Sequence, residues 1–341
     1  MMQFHHRFKG LIVALLTAFL LTGCLERPVK TTQLRMGTWV QITTMGEHTA
    51  AVKAAYDEMG RIEQLMSRHL EKSAVAAVNH APRGTWQPLD REIYALVARG
   101  LEVQKKADGS FHMGLEPLIR NWKFSAENPP TTPPPAEQIS AWVETAKPLL
   151  EQAIHLQEVE GSSQIKLQHR VFGLDLGAIA KGYAIDRAVQ ILQKHGVKDA
   201  IVNAGGDLRT LGNRSGSAWR IGIRDPRDPR QVVVKVELDG NHAMVTSGDY
   251  ERFFLHDGKR YHHLLNPKTG YPMDQGWVSI SVQAESAEIA DALSTALFGL
   301  SQQAGTTLLK ESGGAEALWI HADGSHQQTP GFIGEWLSKQ P

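Results

Sequence analysis

The sequence predicts an α+β fold, one large mixed domain, on three observations. Many short runs alternate as strands do, helical periodicity separates some of them, and no regular strand-helix-strand beat appears. The 341 residues allow one large or two modest domains. A polar stretch from Leu25 to Leu34 is expected to be a tether, and Thr38–Thr43 then alternates as a strand. Val52, Ala55, Tyr56, Met59, Ile62, Leu65 and Met66 recur at helical spacing over residues 49–70. A second helix spans Ile93–Val103 after Asp90, a good N-cap. Residues 128–135 (Asn-Pro-Pro-Thr-Thr-Pro-Pro-Pro) suit neither helix nor central strand and are expected as a Pro-rich surface loop within one domain.

Beyond that loop, strands predominate. Gln164–Gln168 is a strand, and Gly177 ends another, so that Ala178–His195 forms a helix closed by Gly196. Ala200–Asn203 runs as a strand into Ala204-Gly-Gly, and Trp219–Arg224, Gln231–Leu238 and Val278–Gln283 alternate as half-buried strands. Arg252–Leu265 reads as a hairpin turning at Asp257-Gly258, and a last helix starts after Ser286 and ends near Gly299. No internal repeat is visible.

Composition removes several functions. Lys and Arg total 36, matched by 36 Asp and Glu, and the pI is near 7.3, so no global field exists to hold a nucleic acid or other polyanion. With 42% apolar and 21% charged residues the chain is no disordered tail. Its single cysteine, Cys24, excludes an internal disulfide framework, a CxxC pair and a cysteine-based zinc site. There are 15 His, but no HExxH or spaced His/Cys set.

The N-terminus reads as an address. Arg7 and Lys9 precede an unbroken apolar or small run from Leu11 to Leu21, too short to span a membrane at ease and of the length of a secretory h-region. The run ends in Leu21-Thr-Gly-Cys24, which resembles a bacterial lipobox. Residues 1–23 are therefore expected as a lipoprotein signal peptide, Cys24 as the lipidation site and residues 24–35 as a lipidated tether. A diacyl anchor supplies the two lipid chains that stable attachment needs. The expected location is periplasmic, lipid-anchored, with the inner membrane favoured over the outer.

Four glycine-bearing segments carry candidate chemistry: Asp175–Tyr183, Asn203–Asp207, Thr246–Arg252 and His263–Pro272. Each sets small residues beside polar ones at an element end, where a ligand can approach the backbone. At Gly177-Ala178 the start of a helix with Lys181 one turn in suits an anion, pyrophosphate in particular. It is neither a Walker loop nor a Rossmann fingerprint. Asp291 and Thr295, at i and i+4, share a helix face and could supply hard oxygen ligands to Mg²⁺. Spacing alone favours the other reading, a buried Asp capped by a neighbouring Thr. Alternation sends His262 and His263 to opposite faces, one toward core or pocket and one toward solvent. Either could be a general base beside a phosphate site, or simply structural.

In this order these segments resemble the ApbE family, the bacterial FAD:protein FMN transferases. The likeness also takes in Met36-Gly-Thr38, Glu63–Ser67, and Pro117-Leu118 with Trp122. The resemblance implies a fold related to the T-fold over residues 36–341, FAD as substrate, Mg²⁺ as cofactor, and transfer of the FMN moiety to a threonine of an acceptor protein, a flavinylated membrane redox subunit, with release of AMP. It implies FAD contacts at Met36, His69, Ser110, Phe111, His112, Asp175, Lys181 and Leu265. It also implies Mg²⁺ ligands at Asp291, Thr295 and the carbonyl of Ala178, with His263 activating the acceptor and Lys181 neutralising the pyrophosphate. Three positions depart from the family pattern. His112 stands where an Asp is usual, His69 where an aromatic is common, and Asn266 where an Asp is frequent. An FAD pyrophosphatase giving FMN and AMP, a non-catalytic lipid-anchored FAD-binding protein, and a structural lipoprotein are the alternatives.

Overall fold

The computed structural model describes residues 27–125 and 129–337; the signal-like run, Cys24 and Asn128 at the start of the Pro-rich stretch lie outside the described residues. Strands β1 (Pro28–Arg35) and β2 (Thr38–Met45) form a hairpin, followed by helices α1 (Thr49–Met66) and α2 (Ala74–His80). The short β3 (Gln87–Pro88) leads to α3 (Arg91–Lys106), α4 (Glu116–Trp122) and α5 (Ala136–Ala146), then a 3₁₀ turn and the hairpin β4 (Ile154–Val159) and β5 (Ser162–Leu167). Helix α6 (Ala180–Lys194) precedes β6 (Ala200–Ala204), β7 (Asp207–Leu211), β8 (Trp219–Arg224), β9 (Val232–Leu238) and β10 (Ala243–Gly248). The hairpin β11 (Phe253–His256) and β12 (Lys259–His262) is followed by β13 (Trp277–Ala284), α7 (Ala287–Phe298) and α8 (Gln302–Glu311). Strands β14 (Glu316–His321), β15 (His326–Gln328) and β16 (Glu335–Trp336) complete the fold.

Eight strands form the central sheet in the order β1-β2-β6-β7-β10-β13-β14-β15, every pairing antiparallel. Helices α1, α6 and α7 pack into the main core, to which the sheet contributes Val40, Ile42, Val202, Ile280 and Val282. The three-stranded sheet β16-β9-β8 makes a second core with Leu208, Met244, Val278 and Leu318. This is the α+β architecture the sequence predicts.

Three expectations need correction. The presumed tether is, from Pro28 on, strand β1, because Thr31 and Gln33 pair in register with Ile42 and Val40 at the edge of the main sheet. Strand β13 is buried on both faces rather than half-buried, since cores lie on either side of it. No strand leads into Gly177: only Gly173 bridges, to Leu115, and a turn over residues 177–179 delays the helix to Ala180. Lys181 thus sits in the first turn of α6. Of the Pro-rich stretch, residues 129–135 have neither helix nor strand.

Candidate functional site

The α6–α7 crossing builds the centre of the site. A Cβ at Gly182 would lie 2.1 Å from the main-chain oxygen of Ala287, so only glycine lets the two helices approach this closely. The Gly182 N–H then donates to Asp291 Oδ2 at 2.9 Å instead of to the carbonyl one turn back. Ala178 keeps a carbonyl with no N–H donor among the described residues. The start of α7 is fixed by Asp186 on α6. Its Oδ1 accepts from Ala287 N–H (2.9 Å) and Arg209 (2.6 Å), and its Oδ2 accepts from Glu288 N–H (3.0 Å) and Ser286 Oγ (2.7 Å). Further along α7, Ser294 bonds Ser247 of β10 at 2.8 Å. Asp291 is therefore held from both ends of its helix.

Asp291 is 4% exposed. Burial, with Asp207 and Asp186 adding repulsion, pushes its carboxyl up to about 7 against the pull of Lys181 and the Gly182 N–H. Thr295 is partly exposed and its hydroxyl is unshared, whereas Thr145, Thr306 and Thr307 each donate to the carbonyl four residues back. Asp291, Thr295 and the Ala178 carbonyl are hard oxygen donors with spare capacity, which fits Mg²⁺. No group of three or more His, Cys, Asp or Glu suited to a metal occurs among the described residues, so any cation here needs such mixed ligands.

Lys181 is ion-paired with Asp207, a residue not singled out from sequence. Gly205 and Gly206, both at positive φ, make the β6–β7 turn that brings Asp207 under α6. Burial works to lower the Lys181 ammonium, but the Asp207 and Asp291 carboxylates outweigh it and raise it above the ordinary lysine value. Its side chain is still 32% exposed. At the helix start Asp175 takes the Gly177 N–H and Leu176 takes those of Ile179 and Ala180. The N–H groups of Ala178 and Lys181 remain without an acceptor among the described residues.

His263 follows β12 and is fastened through its own N–H to the Arg252 carbonyl at 3.1 Å. Its buried Nδ1 has no partner. Burial, then the positive charges of Arg252 and Lys181, hold the ring at about 3, so it is neutral at physiological pH. His262 points the other way, as alternation requires, and its Nε2 meets the Met273 carbonyl at 3.0 Å while its ring stands edge-on to Phe298. It is structural.

The other expected contacts divide. Met36 occupies the tight turn between β1 and β2 at φ 53, an uncommon conformation for a non-glycine, and packs against the main core. Asp175 is ion-paired with Arg68 at 2.5 Å, and exposed His69 lies within the field of Arg68, Asp175 and Arg252. Leu265 is buried in an aromatic cluster with Trp122, Phe124 and Phe254. Ser110, Phe111 and His112 turn their side chains inward. Ser110 Oγ lies within hydrogen-bond distance of the carbonyls of Ala107 and Ala296, its one proton serving either, and Phe111 is 1% exposed. His112 joins the Leu150 carbonyl and the Gly114 N–H, stacks on Phe172, and is held by burial at about 4. Only main chain from this segment is left for a ligand. Asn266 caps its own turn by accepting from Lys268 N–H at 2.8 Å.

Sequence reasoning passed over Asp207, Arg252, Arg68 and Asp186 as site residues. The first two were legible as the polar ends of the segments Asn203–Asp207 and Thr246–Arg252; nothing local marks the other two.

Comparison with known proteins places the chain in a family. A model of the ApbE family matches residues 36–319. The FAD:protein FMN transferase of Treponema pallidum is 32% identical over 318 residues, covering 88% of this chain and 86% of the relative. That of Escherichia coli K12 is 30% identical over 346 residues, covering 96% and 95%. Among solved structures, the ApbE protein of Thermotoga maritima superposes with a TM-score of 0.79 at 31% identity, covering 89% of this chain and 97% of its own. The apo flavinyl transferase ApbE of Pseudomonas stutzeri gives 0.74 at 29% identity, covering 89% and 94%.

Proposed function

We propose a mechanism from the premise that this chain belongs to the ApbE family and is an FAD:protein FMN transferase. The observation that carries the mechanism is the set of unshared oxygens, Thr295 hydroxyl and Ala178 carbonyl, beside buried Asp291 and next to Lys181. Asp291, Thr295 and the Ala178 carbonyl would hold Mg²⁺, which would supply positive charge to offset that of the pyrophosphate and the leaving AMP. Lys181 and the free N–H groups at the start of α6 take pyrophosphate oxygens, with Asp207 fixing the ammonium in place. Met36, His69 and Asp175, with the main chain of Ser110–His112 and of Leu265, contact the rest of FAD.

His263 accepts the proton of the acceptor threonine. As the hydroxyl oxygen bonds to the FMN phosphorus, the bond from that phosphorus to the bridging oxygen breaks, and AMP departs with the electron pair. The ring must be neutral to do this, and burial first, with Arg252 and Lys181 adding to it, keeps it so. The negative pyrophosphate offsets those two cations when FAD binds, raising the basicity of His263 at the moment it is needed. The acceptor is a membrane redox subunit outside the cytoplasm. The chain itself is periplasmic, anchored through lipidated Cys24, at the inner membrane.

Incubating the protein with FAD, Mg²⁺ and a threonine-bearing acceptor domain tests the mechanism. The expected result is an acceptor heavier by one FMN less one water, with one AMP released into solution per modification. AMP with an unmodified acceptor would instead establish a pyrophosphatase, and bound FAD with neither product a binding protein.

A further inference from the structure

The β1–β2 hairpin has an open face. The three-stranded sheet β16-β9-β8 covers the central sheet from β14 as far as Ile201 of β6, and its core takes no residue of β1 or β2. The hairpin residues that point to that side, Lys30, Thr32 and Leu34 on β1 with Trp39 and Gln41 on β2, are exposed. Trp39 is 67% exposed, more than any other large apolar side chain among the described residues, and Leu34, its direct cross-strand partner, is 57% exposed. The opposite side sends Val40 and Ile42 into the main core, so alternation turns the Trp-Leu pair away from the fold. The charge of the hairpin has one sign. Residues 27–46 contain Arg27, Lys30 and Arg35 and no Asp or Glu. None of the three forms an ion pair among the described residues; Arg35 donates to the carbonyls of Leu34 at 2.8 Å and Tyr56 at 3.4 Å. Tryptophan beside cations is the combination that settles at the headgroup level of a bilayer, where one end of the ring is apolar and the other wet.

The attachment of the chain decides what covers this face. Only Leu25 and Glu26 separate Cys24 from Arg27, and even a fully extended chain keeps Pro28 within about 14 Å of the lipidated residue. Strand β1 then runs about 20 Å from Pro28 to Leu34. Upright on its anchor, it would hold Leu34 and Trp39 at that height in water. Lying flat, it brings Lys30, Leu34 and Trp39 to the headgroups together. We propose that this face of the hairpin rests on the bilayer, with anionic lipid headgroups as its partner. This rests on the anchoring through Cys24 proposed above and adds an orientation to it. The Met36-Gly37 turn, which contacts FAD in the mechanism, then lies at the membrane surface, where a threonine of a membrane subunit meets it.

The test uses the full chain, processed and purified from membranes, in vesicles of phosphatidylethanolamine and phosphatidylglycerol doped with a lipid brominated next to its headgroup. Intact mass first reads Cys24: a chain without acyl groups would refute the anchor and the orientation built on it. On the lipidated chain, bromine should quench tryptophan fluorescence, and Trp39→Phe, which removes one of eight tryptophans, should abolish most of the quenched part. Equal quenching of the native chain and Trp39→Phe would overturn the proposal while leaving the anchor intact. Each cation at an anionic surface is worth about fivefold in binding, so Lys30→Gln, or phosphatidylcholine in place of phosphatidylglycerol, should reduce the quenching. Equal quenching in neutral and anionic vesicles would exclude anionic headgroups as the partner. Two other occupants have their own signatures. A Trp39 emission that ignores lipid and shifts on adding the acceptor domain would assign the face to the acceptor, and a Trp39-dependent dimer in sedimentation would assign it to a second copy; either overturns the proposal. Trp39 points to the side of the sheet opposite Ala204 and Asp207, so Trp39→Phe should bind FAD and modify a soluble acceptor as before, and a parallel loss of FAD affinity would place Trp39 in the FAD site instead.

Discussion

Replacing Gly182 with alanine should damage both the fold and the metal seat, by an amount that can be worked from the α6–α7 crossing. The new methyl would stand 2.1 Å from the Ala287 oxygen, and ordinary contact begins at 3.4 Å, so the helices must part by about 1.3 Å. Overpacking of this kind costs about 1–3 kcal/mol. Parting the helices also weakens the Gly182 N–H bond to the Asp291 carboxylate, a charged hydrogen bond of about 1.5–3 kcal/mol. Alanine returns about 0.5–1 kcal/mol of helix propensity. The net loss of about 2–5 kcal/mol corresponds, in a chain of this length, to a melting temperature lower by roughly 3–8 °C. Calorimetry measures the first effect, and the Mg²⁺ concentration for half-maximal AMP release measures the second, which should rise. An unchanged or higher melting temperature together with an unaltered Mg²⁺ requirement would refute the reasoning, because neither the close approach nor the diverted N–H would then matter.

Asp291→Asn keeps the volume and removes a buried charge repelled by Asp207 and Asp186; it should fold with native or greater stability without metal, yet lose AMP formation by about a thousandfold or more. Mg²⁺-dependent turnover near the native rate would exclude Asp291 as the ligand. His263→Ala should slow transfer far more than it weakens FAD binding, and equal losses in a fluorescence titration and a single-turnover assay would remove the general-base role. His112, held at about 4 against 6.5 for a free imidazole, is unprotonated in the fold and takes a proton on unfolding. Its contribution is complete above pH 6.5 and is lost as pH falls toward 4, about 3 kcal/mol in all. Denaturant melts from pH 7 to 4 should show that slope, and His112→Phe should be less stable at pH 7 with a shallower slope; an unchanged slope would disprove the assignment.

Most elements were legible because each signal is local. Asp90 caps α3 through its side chain to the Glu92 N–H, Ser286 caps α7, and Asp257-Gly258 turns the β11–β12 hairpin. The edge strand β1 was hidden because polar residues such as Lys30, Thr31, Thr32 and Gln33 suit an exposed edge as well as a tether, and only β2 beside it decides between them. The start of α6 was misplaced because Gly177 reads as a strand end when its true role is to close a turn on Asp175.

In the site the same division holds. Helical spacing put Asp291 and Thr295 on one face, and strand alternation separated His262 from His263, because both follow from the geometry of single elements. The sequence by itself thus determined the α+β class and the family to which these segments are alike, and it placed Lys181 at the start of a helix. Tertiary structure alone decided that Lys181 is held by Asp207, that Ser110–His112 turn inward, that Asp186 fixes the start of α7, and that Arg68, Arg83, Arg120, Lys123 and Arg170 line one cavity with Glu116. These are contacts between residues far apart in the chain, and their energies depend on burial and on neighbours that no local pattern records.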